Sequence, residues 1–100
     1  SGVMGGKFLE RGKYKKAVLE LERAVQIRPE DPVINDHLGD AYWRVGRKLE
    51  AQFQWTRSLS LKPNDEVAAE VRKKLKDGLA PAKPVGVPEK AGETSAPDKT

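Results

Sequence analysis

An all-α fold is predicted by three observations. Apolar residues recur at helical spacing over most of the chain. The chain repeats itself with a period of 34 residues. Glycines and prolines fall where the periodic stretches stop, as at Gly46, Pro29 and Pro63.

The period is read from a shift of 34 positions. Gly5 then falls on Gly39, Gly12 on Gly46, Ala17 on Ala51, Arg23 on Arg57, Pro29 on Pro63, Asp31 on Asp65 and Val33 on Val67. Met4 meets Leu38, Phe8 meets Tyr42 and Leu21 meets Trp55. Glycine, alanine and proline shared at the punctuating positions are hard to obtain by chance.

Taken in order, residues 1–11 read as a short first helix, weakened by Gly5 and Gly6. Such a segment frays, or is completed by upstream sequence. Gly12 is expected to make the first turn. Residues 14–28 have the strongest helix propensity, with Ala17, Val18, Leu21, Ala24 and Val25 on one face. Asp31 is the expected N-cap of the next helix, with Pro32 at its first position.

The central stretch, residues 35–61, holds the best copy. Leu38, Ala41, Tyr42 and Val45 share one buried face. Gly39 sits inside that helix at a cost of about 1 kcal/mol relative to alanine, so close approach of a neighbouring helix is expected there. Gly46 ends the helix. Ala51, Trp55, Ser58 and Leu59 carry the next one, and Pro63 forbids its continuation. Asn64 or Asp65 caps a last helix with a Val67, Val71 and Leu75 stripe, and Gly78 closes it. Residues 80–100 hold four prolines and no aromatic residue, and read as a disordered tail.

A helix–turn–helix unit of 34 residues with Leu38-Gly39, Ala41-Tyr42, Gly46, Ala51, Ser58-Leu59 and Pro63 resembles the tetratricopeptide repeat (TPR) family. The resemblance covers roughly residues 4–79. It departs from the family pattern at Asn35, where an aromatic is common, at Lys7, where a small residue is usual, and at Ser58, where alanine is commoner. It implies a helical solenoid: repeat 1 at about 1–31, repeat 2 at about 32–64 and a capping helix at about 65–79. It also implies a non-catalytic protein–protein interaction module that holds a peptide or protein segment on its concave face. Such a module is either a fragment of a longer repeat array or a small adaptor.

Composition narrows the function classes. The chain has no cysteine, which removes disulfides and thiolate metal sites. The formal charge is +4, and the residues through Gly78 carry 16 basic against 12 acidic groups. A charge of that size is ordinary for a soluble domain and is no nucleic-acid footprint. No apolar run approaches the length of a membrane span, and no signal-peptide pattern is present. Composition does not fix the compartment.

Candidate contact residues lie on the first helix of the second repeat. Asp36, Asp40, Trp43 and Arg44 follow the stripe turned away from its packed face. Asp36 and Asp40, at i and i+4, form either an acidic groove or a solvated face. They stand where a carboxylate-gripping TPR would need Lys and Asn, so that mode is excluded. Trp43 is either an exposed binding anchor or a residue packed on the terminal helix near Val71 or Leu75. Arg72, Lys73, Lys74 and Lys76 form an alternative basic patch for nucleic acid or an anionic surface, though no aromatics interleave them. Self-association through Met4, Phe8 and Leu9 is a third possibility. No cofactor, metal or catalytic constellation is expected. His37 with two neighbouring aspartates is no metal cage, Gly5-Gly6-Lys7 is no phosphate loop, and no nucleophile has a base beside it.

Overall fold

The computed structural model describes residues 2–81, with side chains described from residue 12 onward. Among them are four helices: α1 Gly2–Ile27, α2 Pro32–Arg44, α3 Lys48–Ser60 and α4 Asp65–Asp77. Helix α2 packs on α1 and on α3, and α3 packs on α4. The side chains of Met4, Phe8 and Leu9, and the tail from residue 82, lie outside the described residues.

The α2–α3 hairpin is the centre of the fold. Leu38, Ala41 and Tyr42 face Ala51 and Trp55 in one core, joined by Val18 of α1 and Val71 of α4. Ser58, also fully buried, donates its hydroxyl to the Pro32 carbonyl at 2.7 Å. The close approach expected at Gly39 is present. A Cβ placed there would lie 2.6 Å from the Trp55 ring and 3.0 Å from the Ala51 carbonyl oxygen. Gly39→Ala therefore gains about 1 kcal/mol of helix propensity and loses about 1–3 kcal/mol to overpacking. The Trp55 ring is wholly enclosed and has nowhere to retreat. A net loss of up to about 2 kcal/mol is expected, read as a lower urea midpoint.

The caps agree with the sequence. Asp31 Oδ1 accepts the backbone N–H groups of Val33 and Ile34 at 2.8 and 3.1 Å, and Pro32 follows at the first helical position. Asn64, rather than Asp65, caps α4 through the Val67 N–H. Gly78, at φ 72°, ends α4 in the left-handed region that glycine tolerates. Asn35, unusual for the family, is fully buried and donates its amide to the carbonyls of Pro29 and Asp31 at 3.2 and 2.8 Å. It ties the link between α1 and α2 to the helix that follows.

One element differs from expectation. Helix α1 runs through Gly12 without a break, so the first turn is absent. Gly46 does turn, at φ +89°, with its N–H bonded to the Trp43 carbonyl. Gly12 shows no positive φ. A mid-helix glycine costs only about 1 kcal/mol, and no proline or cap residue stands near Gly12 to stop the ladder. The same residue type at the same repeat position permits a turn without imposing one.

Candidate interaction surface

The aspartates of α2 are set by helix spacing and by what reaches them from α4. Asp36 is buried, and Asp40 is half-buried. The Lys74 ammonium donates to Asp36 Oδ1 at 2.9 Å and to Asp40 Oδ2 at 3.1 Å. Trp55 Nε1 donates to Asp40 Oδ1 at 3.0 Å. Two carboxylates that would repel across one helical turn are thus joined by a shared cation and an indole N–H.

Burial dominates the Asp40 carboxyl and pushes its pKa up. The Lys74 hydrogen bond and charge pull the other way without cancelling it, while Asp36 adds to the rise. For Lys74, burial is the largest influence and lowers the pKa. The hydrogen bonds and charges of both aspartates together overcome it, so the ammonium ends with its pKa raised. The lysine is secured more firmly as a cation than Asp40 is as an anion.

The expected solvent-facing stripe is therefore not present. Asp36 is inside the α2–α4 contact. Trp43 is half-buried, with its ring centroid 5.5 Å from that of Trp55 and the Lys48 ammonium 4.7 Å above it. A Cβ at Gly78 would clash with the six-membered ring of Trp43. Trp43 thus packs against the end of the terminal helix at Gly78, and it lies against the core cluster that holds Val71. Arg44 donates to the Ala80 carbonyl. Periodicity within α2 shows which residues share a side, but it cannot show that α4 covers it.

The basic patch changes in the same way. Arg72, Lys73 and Lys76 are exposed, but Lys74 turns inward to the two aspartates. Glu70 and Asp77 are interspersed with the remaining cations. Among the described residues, no three His, Cys, Asp or Glu side chains converge on a metal position. No helix there is long and apolar enough to cross a membrane.

An open cleft of about 390 Å³ runs between α1 and α2. Tyr14, Ala17 and Leu21 line one wall, and His37, Asp40, Ala41 and Arg44 the other, with Leu79 at its rim. Ala17 and Leu21 are only half-buried, while their repeat counterparts Ala51 and Trp55 are completely enclosed. Of the four α2 residues expected to make contact, Asp40 and Arg44 line this cleft, and Asp36 and Trp43 do not. The α1 wall was missed in sequence because Ala17 and Leu21 were read only as part of the apolar face of residues 14–28. Tyr42, also between α1 and α2, donates its hydroxyl to Glu22 at 2.7 Å, and burial followed by that carboxylate pushes its pKa up to about 12.

A family model described as TPR repeat matches residues 5–46, from the first arm of α1 to the turn at Gly46. With the 34-residue period and an all-helical fold around it, that match decides the family. The chain is a TPR-type repeat protein. No curated protein and no solved structure gave a significant match. TPR proteins act in general as protein–protein interaction modules and are generally non-catalytic scaffolds.

Proposed function

We propose that this TPR chain is a non-catalytic interaction module that takes a helical segment of a protein partner in the α1–α2 cleft. The supporting observation is the half-covered apolar floor of Ala17 and Leu21, bordered by His37, Asp40 and Arg44. An amphipathic helix supplies apolar residues at i, i+3 and i+4 to such a floor and leaves its polar side in water. The interaction unit in this reading is the stretch through residue 79.

Amide NMR of the labelled chain tests it, using a pool of amphipathic helical peptides and then a short oligonucleotide. Shifts are expected with peptide at Ala17, Leu21, His37, Ala41 and Arg44. Shifts with oligonucleotide alone, confined to residues 70–77 and lost at moderate salt, would replace this reading with nucleic-acid binding through Arg72, Lys73 and Lys76. No shift with either ligand would count against both.

A further inference from the structure

The 34-residue period identifies what shape the α1–α2 cleft is built to receive. In the second repeat, α4 packs on α2 and α3 through Val71, Lys74, Leu75 and Gly78. Subtracting 34 turns these into His37, Asp40, Ala41 and Arg44. The hairpin contacts of Gly39 with Ala51 and Trp55 become contacts of Gly5 with Ala17 and Leu21. Those six residues, His37, Asp40, Ala41, Arg44, Ala17 and Leu21, all line the cleft. The cleft is the place of one helix, and that helix is the counterpart of α2.

The sequence of that counterpart is residues 2–11. It has Gly5 where Gly39 admits a close neighbour, Phe8 for Tyr42, Met4 for Leu38 and Leu9 for Trp43. It has Gly2 and Gly6 where α2 has Asp36 and Asp40. Asp40 stands at the position of Lys74, so acidic residues at 2 and 6 would set like charges against it. Glycine removes that repulsion. Yet α1 is continuous, so the arm of the same chain points away from the cleft. Residues 5 and 17 are then roughly 18 Å apart along the helix, at 1.5 Å per residue.

We propose that two copies of this chain exchange arms, residues 2–11 of each lying in the α1–α2 cleft of the other. This rests on the cleft being a helix-docking site, and it names the helix. The exchange is isologous: the arm of one copy meets the cleft of the second, and the reverse. Burying Met4, Phe8 and Leu9 removes roughly 100 Å² per side chain. Two arms and the matching cleft surface then give roughly 1,200 Å², the lower end of standard interfaces. A dimer of modest affinity follows, one that dissociates on dilution.

The test uses the full chain, which has no native cysteine to interfere. Sedimentation velocity of the unaltered protein is expected to show mass doubling as concentration rises through the micromolar range. Two single variants, Gly5→Cys and Ala17→Cys, are then mixed and oxidised, and an interchain disulfide between them is expected. The double variant is expected to give a covalent dimer rather than an internally bridged monomer. Gly12→Ala, which resists the positive φ that a turn at that position requires, is expected to keep the dimer. An internal disulfide in a monomeric double variant would mean that the arm folds back on its own chain, and would overturn the exchange. A protein that stays monomeric and forms no interchain bond would overturn it as well. If that monomer still bound amphipathic peptides in the cleft, the interaction-module reading would stand without the exchange. If it bound none, both would fall.

Discussion

Trp55→Ala is expected to remove most of the stability of the fold. Trp55 is completely buried, and large aromatic-to-alanine changes in cores cost about 3–5 kcal/mol. Three losses coincide at this position. The space against Gly39 and Ala51 empties, Trp43 loses the ring it lies against, and Asp40 Oδ1 loses its indole donor. A folded unit of about 80 residues has a total stability of about 4–12 kcal/mol. The substitution takes a large share of that, and the far-UV circular dichroism melt should move down by well over 10 °C or lose its cooperative step. Trp55→Phe separates the parts, because it keeps most of the volume and removes the N–H. A loss of about 1–2 kcal/mol is expected for it, from the unpaired acceptor and the smaller ring. A Trp55→Ala protein within 1 kcal/mol of the parent would mean that the helices close over the gap, and that Trp55 is not the centre of the core.

What could be read in the sequence, and what could not, follows from the range of each signal. The helices of the second repeat were legible because their determinants are local. Asp31 and Pro32 start α2, Gly46 ends it, and Pro63 bars the extension of α3. Gly39 was legible as a close-approach site because a mid-helix glycine needs a packing reason. Gly12 was misleading because the repeat pairs it with Gly46, while backbone conformation depends on whether packing rewards a turn. The α2 stripe was misleading for a related cause. Asp36 and Asp40 share a side of one helix, but the cation between them comes from position 74, on another helix. Lys74 itself read as solvent-facing because it sits among Arg72, Lys73 and Lys76, and only the rotation of α4 separates it from them. Trp43 shows the same limit, because its neighbour Gly78 had a local explanation as a helix cap. The cleft was invisible from sequence for the opposite reason. The period predicted a helix in that place, and the vacancy became apparent only from the course of α1.

Lys74→Met is expected to produce the second large effect, and one that depends on pH. The substitution preserves chain length and much of the packing while removing the charge. An exposed ion pair is worth about 0–1 kcal/mol, and removal of one partner from a fully buried pair costs about 3–5 kcal/mol. The Lys74 side chain is 17 % exposed, against 7 % for Asp36 and 32 % for Asp40, so about 2–3 kcal/mol at neutral pH lies between these limits. The sign with pH follows from the shifts. In the parent protein the raised Lys74 pKa gives stability that is full below the unfolded value of 10.5 and is lost as pH rises through the folded pKa. The Asp40 pKa is already raised by burial, and without the cation that favours its ionised form it rises further. A carboxyl whose folded pKa lies above its unfolded value of 3.8 contributes stability below that value and loses it as pH rises through the folded pKa. The variant should therefore lie closest to the parent in acid and fall progressively below it toward neutrality. Urea denaturation of both proteins between pH 3.5 and 8 reads the difference directly. A deficit equal at all pH values would mean that Lys74 acts through its methylene packing alone. A deficit that grows with pH would mean that its charge closes α4 onto α2.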